Sequence, residues 1–139
     1  MFRAAFLSIF TILFLTGCVS REQADAKLAS GCAAGAELFI EENYEIKEIV
    51  SKAFGKSSLG NGYRDVRIDV IETDGWHEVE KDYKCIFFEN YALFGMGYTA
   101  TIEQIKLDDQ IYGKDGDKIL GSLQDHLKLM ETVDKALFR

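Results

Sequence analysis

An almost unbroken apolar run from Ala4 to Leu15 divides this chain of 139 residues into a leader and a part that can fold. Arg3 is the only charged residue before Arg21, so a short positive head precedes the run. As a helix, its twelve residues would span about 18 Å, well short of the roughly 30 Å hydrocarbon core of a bilayer. This arrangement is typical of a secretory signal peptide.

The residues after the apolar run indicate the type of signal peptide. Leu15-Thr16-Gly17-Cys18 resembles the lipobox of bacterial lipoproteins, in which a branched residue and two small residues precede an invariant cysteine. The resemblance covers residues 1–18 only. It implies that diacylglycerol is attached to the Cys18 sulfur, that signal peptidase II removes residues 1–17, and that the new amino group is acylated. Two or three acyl chains hold a protein stably on a bilayer.

The same resemblance predicts a location for residues 18–139, which we expect to form a single periplasmic domain. In lipoproteins of Gram-negative bacteria, Asp after the cysteine commonly causes retention in the inner membrane. Val19 occupies that position here, which favours the periplasmic face of the outer membrane. The alternatives are an uncleaved signal anchor and a cysteine that matches the motif by coincidence.

The mature chain implied by this resemblance is acidic. The whole chain has 16 Lys and Arg against 23 Asp and Glu, and loss of residues 1–17 removes only Arg3, which changes the net charge from −7 to −8. Phosphate contacts need clustered Lys and Arg, and no basic cluster occurs, so we expect no nucleic-acid partner. A negative field favours a basic protein partner instead.

Export to an oxidising compartment predicts a disulfide between Cys32 and Cys85, because lipidation of Cys18 leaves only this pair. Such a bond would stabilise the fold by up to ~4 kcal/mol in the chain-entropy model. The alternatives are two buried free thiols and a reactive or metal-binding pair. Neither His77 nor His126 lies at a ligand spacing, so no metal site is predicted.

A long N-terminal helix is predicted from Ser20 to Gly55, with an interruption at Ser30-Gly31 as the alternative. Ser20 and Gln23 form a capping-box pattern, and Gly55 fits the left-handed position after a helix. Apolar residues recur between them at near-helical spacing; these are Leu28, Cys32, Ala36, Phe39, Ile40, Ile46, Val50 and Ala53. Gly31, Ala34, Gly35 and Ala36 form a small-residue patch, which we expect to pack closely against a sheet.

Strands and a second helix are predicted for the rest of the chain. Val66, Ile68 and Val70 alternate with charged residues, as in a half-buried strand. An Asp74-Gly75 turn is expected next, followed by strands over 76–80, 83–91 and 98–107. A loop follows to Asp117, which caps a helix whose apolar face contains Ile119, Leu120, Leu123, Leu127, Met130 and Leu137. The predicted fold class is α+β, with an N-terminal helix, an antiparallel meander of three or four strands, and a C-terminal helix.

One conflict arises within this prediction. With two-residue turns at Asp74-Gly75 and at Lys81-Asp82, Cys85 would point away from the face that carries Val66. A disulfide to the first helix requires the opposite orientation. A bulge or a longer turn would reverse the first strand, or helices would cover both faces of the sheet. We favour the bulge.

No pattern of catalytic residues is found. The chain has no Gly-x-Ser-x-Gly motif, and a lipidated or bridged cysteine cannot act as a nucleophile. Asp108, Asp109, Asp115 and Asp117 lie close in sequence, but their spacing does not match a calcium-binding EF-hand loop. The chain is therefore predicted not to be an enzyme and to hold no cofactor or metal.

The segment from Asn90 to Tyr98 is unusual because it places apolar residues where a polar hairpin tip is expected. Leu93, Phe94 and Met96 are candidate partner contacts, since exposed Met and aromatic residues favour interfaces. We favour the other interpretation, in which the strands extend and this segment folds onto a terminal helix.

These features favour a lipid-anchored cell-envelope protein that binds another envelope protein. A small enzyme or ligand carrier, with a pocket between the sheet and the helices, is the alternative. A concave pocket with converging polar groups would favour that alternative.

Overall fold

The computed structural model describes residues 19–92 and 97–138, so Cys18, Leu93, Phe94 and Met96 lie outside the described residues. The predicted α+β class is confirmed, with one helix at each end, but the sheet has six strands rather than three or four. In chain order the elements are α1 Arg21–Glu37, β1 Glu45–Lys56, β2 Tyr63–Thr73, β3 Glu78–Tyr91, β4 Tyr98–Leu107, β5 Gln110–Asp115, β6 Lys118–Leu120 and α2 Leu123–Leu137.

The six strands form an antiparallel meander in which every strand pairs with its neighbours in sequence. Both helices pack side by side on one face of this sheet, so they do not cover its two faces. The core between the layers is completely apolar at its centre, where Leu28 of α1, Phe87 of β3 and Leu129 of α2 are fully buried. The fold is thus a two-layer sandwich with one open sheet face among the described residues.

Helix α1 begins as predicted. Ser20 accepts a hydrogen bond from the backbone N–H of Gln23, and the Gln23 side chain accepts one from the backbone N–H of Ser20. Leu28, Cys32 and Ala36, three residues of the predicted apolar stripe, are fully buried. The capping box therefore fixes the start of the helix, and burial confirms the face that its spacing indicated.

The prediction that this helix continues to Gly55 was wrong, because residues 45–56 form strand β1. Two bulges, one between Ile46 and Glu48 and one between Ile49 and Ser51, interrupt the alternation of side chains in this strand. Ile46 lies opposite Glu72 and Ile49 lies opposite Val70, so both face the same side of the sheet although they are three residues apart. An extra residue at a bulge shifts the alternation of side chains by one position. The resulting spacing looks helical in the sequence.

The predicted turn at Lys81-Asp82 was also wrong, because β3 runs through it without interruption. The turn that begins at Asp74 is four residues long, from Asp74 to His77. As a result, Val66 lies directly opposite Cys85 and both side chains point to the core. The conflict disappears because β3 has no turn at Lys81-Asp82, and the bulge favoured in β2 is not found.

The C-terminal region departs from the prediction as well. Residues 110–120 contain β5 and β6 instead of a loop, and the helix is capped by Ser122 rather than by Asp117. Of the predicted apolar face, only Leu137 is fully buried, and Leu127 is exposed. The true inner face is formed by His126, Leu129, Val133 and Leu137.

The small-residue patch of α1 contacts the other helix more closely than it contacts the sheet. A Cβ atom on Gly31 would lie 3.0 Å from Leu137 Cδ2, and one on Gly35 would lie 3.0 Å from Leu129 Cδ1 and 3.6 Å from Ile105 Cδ1. The expectation of close packing is confirmed, but the main partner is α2. Absence of side chains at both positions lets the two helices approach.

Cys32 of α1 and Cys85 of β3 form a disulfide, with their Cα atoms 5.7 Å apart. The predicted pairing is confirmed. Both residues are fully buried in the core between the helix and the sheet. The bond excludes the alternatives of free thiols and of a metal-binding pair.

Candidate functional site

A network of charged side chains places the N-terminus of α1 at one end of the sheet. Arg21 donates hydrogen bonds to both carboxylate oxygens of Glu89, at 2.9 and 2.6 Å, and to the Tyr91 hydroxyl at 2.7 Å. Arg64 donates two hydrogen bonds of 2.7 Å to Asp25. The start of α1 is therefore tied to the end of β3. We call this the anchor end, because Cys18, the predicted site of lipidation, precedes Arg21 by three residues in the sequence.

A pocket of about 270 Å³ lies at the opposite end of the sheet. It forms because α1 ends near Leu38 and the chain then crosses the ends of β2, β3 and β4 before β1 begins. Its apolar walls are Phe39, Ile40, Tyr44, Val79, Tyr83 and Leu107. Its polar residues are Glu41, Glu72, Lys81 and Asp108. We call it the Glu72 pocket.

Glu72 occupies a position that the strand pattern reserves for an apolar residue. It follows Val66, Ile68 and Val70 on the inner face of β2 and is only 5% exposed. Its Oε1 atom is buried and has no hydrogen-bond partner among the described residues. Buried carboxyl oxygens are normally paired, so the missing partner of Glu72 calls for an explanation. Sequence reasoning missed Glu72, although the alternation from Val66 to Val70 extends directly to it.

The surroundings of Glu72 are acidic. Burial raises the pKa of the Glu72 carboxyl, Lys81 opposes this rise, and the carboxylates of Asp108 and Glu41 add to it. Lys81 does not pair with Glu72. Its ammonium lies 3.3 Å from Asp108 Oδ2 instead. The pocket therefore combines three acidic side chains with one basic side chain.

Replacing Glu72 by Gln should stabilise the protein near neutral pH. A raised pKa means that the folded state binds more protons than the unfolded state, so stability falls as the pH rises through the raised pKa. We expect Glu72→Gln to increase the free energy of unfolding by about 1 to 2 kcal/mol at about pH 7, since it removes an unpaired buried charge. The gain should disappear below about pH 4.

Urea unfolding at both pH values measures this effect, and Glu80→Gln on the exposed side of β3 is the matched control. A loss of stability in Glu72→Gln at neutral pH would show that the carboxylate has a favourable partner in the folded protein.

The connection between β2 and β3 holds Trp76 away from the body of the domain. Asp74 Oδ1 accepts hydrogen bonds from the backbone N–H groups of Trp76, at 2.8 Å, and of His77, at 2.7 Å. Hydrogen bonds from His77 and Trp76 lower the pKa of Asp74 to about 2, so they persist down to acidic pH. Trp76, the single tryptophan of the chain, is 92% exposed.

Trp76 and the Glu72 pocket are close to each other. The pair Glu72–Val79 belongs to the pocket, and one further pair, Thr73–Glu78, separates it from the connection that carries Trp76. Sequence reasoning assigned Trp76 to a short strand and missed its exposure. We call Trp76 and the Glu72 pocket together the distal site.

The other predicted site residues do not contribute to the distal site. Cys32 and Cys85 are buried in the disulfide, and Cys18, Leu93, Phe94 and Met96 lie outside the described residues. Within residues 19–92 and 97–138, no three His, Cys, Asp or Glu side chains are grouped as metal ligands would be. None of the helices in this part of the chain is long and apolar enough to cross a membrane.

Comparisons with known proteins give no family for the chain. No family model matches it, and neither the curated proteins nor the solved structures include a significant match.

Proposed function

We propose that this protein is a lipid-anchored envelope protein that binds another exported protein through its distal site. Attachment through Cys18 is supported by the lipobox-like residues Leu15-Thr16-Gly17-Cys18. The absence of Asp at position 19 favours the outer membrane, with the domain on the periplasmic face. Contact of Leu93, Phe94 and Met96 with a partner stays a prediction.

The two ends of the sheet support a defined orientation. Arg21 contacts Glu89 and Tyr91 near the end of β3, whereas Trp76 precedes the start of β3 at Glu78. An extended strand rises about 3.3 Å per residue, so Glu78 and Glu89 are roughly 35 Å apart. Acyl chains on Cys18 would therefore leave the distal site facing away from the bilayer, where a periplasmic partner can reach it.

The exposure of Trp76 is the observation that carries this proposal. An exposed tryptophan side chain leaves a large apolar surface in contact with water, and tryptophan is enriched at the centres of protein interfaces. The hydrogen bonds that Asp74 accepts from the backbone N–H groups of Trp76 and His77 fix the backbone of this loop before a partner arrives. Binding then requires little ordering of this loop, which favours affinity.

Replacing Trp76 by Ala should reduce capture of the partner at least tenfold, while thermal unfolding stays unchanged because the side chain packs against little of the domain. The measurement uses a photo-reactive residue at His77 in the lipidated protein, expressed in its native envelope. Cross-linked products of the wild-type protein and of the Trp76→Ala variant, both carrying this residue, are identified and compared by mass spectrometry.

Leu127→Ala is the matched control, since Leu127 is an exposed apolar residue on α2. Equal yields of one defined cross-linked protein from the Trp76→Ala and Leu127→Ala variants would refute a role of Trp76 in binding.

A second candidate function is that of a small-ligand carrier. The Glu72 pocket supports it, because polar side chains converge there in a concave site beside apolar walls, and such groups fix the orientation of a ligand. Binding of a free ligand to this pocket would not require Trp76.

A further inference from the structure

We propose that the Glu72 pocket receives one basic side chain, lysine or arginine, from the partner protein. This inference names the chemical group of the partner and therefore rests on the proposed function. It follows from the unpaired carboxylate, from the charge around it, and from the shape of the pocket walls.

The unpaired oxygen of Glu72 is free to accept a hydrogen bond from a donor. Glu72 Oε1 is buried without a hydrogen-bond partner among the described residues, in a side chain that is 5% exposed. An ammonium or guanidinium group would donate to it and would neutralise the charge. Hydrogen bonds between charged groups are about twice as strong as neutral ones.

The charge of the pocket selects a cation over a neutral donor. Glu41, Glu72 and Asp108 supply three carboxyl groups, and Lys81 is the only basic residue among those that line the pocket. Lys81 is engaged by Asp108 at 3.3 Å. A second cation would therefore meet a site that is still negative. An isolated metal ion fits less well, because metal ions need several converging ligands.

The walls suit the apolar stem of a basic side chain. Phe39, Tyr44, Tyr83 and Leu107 contribute aromatic and aliphatic surface to the walls of the pocket. Lysine and arginine bury their methylene stems on apolar surface while the charged head finds a polar partner. Aromatic rings also attract cations through their faces.

The position of the pocket favours a side chain over a lipid headgroup as its occupant. Glu72 lies at the distal end of the sheet, away from the predicted lipid on Cys18, and near Trp76. The side chains of Lys81 and Asp108 at the rim are 34% and 68% exposed, so the pocket opens to solvent. A polypeptide bound over Trp76 can therefore insert a residue.

Direct titration of the pocket tests this inference. The mature chain is titrated with Nα-acetyl-lysine amide, with Nα-acetyl-arginine amide and with the neutral Nα-acetyl-norleucine amide, and backbone amide shifts of Val79 and Leu107 are followed by NMR. We expect saturable binding of a basic probe, at least tenfold weaker binding of norleucine amide, and at least tenfold weaker binding of the basic probe by Glu72→Gln. Equal binding of the neutral probe, no saturation with either basic probe, or no effect of Glu72→Gln would overturn the proposal.

One variant and one further probe separate the rival explanations. If Lys81 is the true partner of Glu72, then Lys81→Met should lower stability and leave probe affinity unchanged, which would overturn the proposal. We expect it instead to strengthen binding of the basic probe severalfold, because a competing cation is removed. Binding of free 1,5-diaminopentane more than tenfold tighter than lysine amide would assign the pocket to a free amine and not to a partner.

The titration can fail without affecting the proposed function. Trp76→Ala should leave probe binding unchanged, because the probe does not use the loop. Loss of capture in Trp76→Ala together with absent probe binding would retain the protein-binding function and reject the basic side chain. If the basic probe binds but Trp76→Ala captures the partner as well as the wild-type protein does, the proposed role of Trp76 in partner binding would be rejected. The Glu72 pocket would then remain a site for cations.

Discussion

Replacing Cys32 and Cys85 together by alanine lowers the free energy of unfolding by about 4 kcal/mol, which is the largest effect we expect from any change in the core. The bond joins α1 to β3 across 53 residues of sequence, so it restricts a long segment of the unfolded chain. Both side chains are fully buried between the two layers. For a domain of this size the midpoint of thermal unfolding should fall by about 15 °C.

Calorimetry with and without a thiol reductant checks this expectation. Under reducing conditions the wild-type protein should approach the stability of the double variant, whereas the double variant should not respond to the reductant. A reductant-sensitive double variant, or a wild-type protein with the same stability in both conditions, would contradict a structural role of the bond.

The second large effect is expected at Gly113, where Ala should destabilise the protein by about 3 kcal/mol or more. Gly113 has φ +116, and a Cβ atom there would lie 2.0 Å from the carbonyl oxygen of Glu103 and 2.9 Å from Gln104 Cα. Both contacts are with backbone of β4 and cannot be relieved by a rotamer change. Glu103 is the extra residue of the bulge between β3 and β4, which turns this backbone toward β5.

Gly116→Ala is the control for Gly113→Ala. Gly116 also has a positive φ of +58, but a Cβ atom there would meet nothing within 4 Å. The Gly116→Ala substitution should therefore lower the free energy of unfolding by only about 1 kcal/mol, through backbone strain. Denaturant unfolding of both variants separates the cost of backbone strain from the cost of the steric clash between the added Cβ atom and β4. A similar decrease in the free energy of unfolding at the two positions would contradict the close approach of β5 to the bulge.

Local signals in the sequence were sufficient for several elements. The Ser20–Gln23 capping box marked the start of α1, and strand β4 spans Tyr98–Leu107 as predicted. Alternation in 66–70 identified β2. Such patterns depend on neighbouring residues alone, because caps and the alternation of side chains are properties of a short stretch of backbone.

The distal site was not visible in the same way. Glu72 was not recognised because its lack of a partner depends on which residues of α1, β3 and β4 surround it, and these are distant in sequence. Trp76 was assigned to a strand because nothing local shows that the connection is four residues long and ends before Glu78. Burial and exposure are outcomes of packing, and packing joins residues that are far apart in the chain.

The sequence by itself determined the α+β class and the pairing of Cys32 with Cys85, and it predicts the lipidation of Cys18. Tertiary structure alone decided the strand identity of residues 45–56, the register that places Val66 opposite Cys85, and the separation of the anchor end from the distal site. The physical reason is the pairing of strands. A single extra residue in a bulge or a turn reverses the face of every later side chain, and only the neighbouring strand fixes where that residue lies.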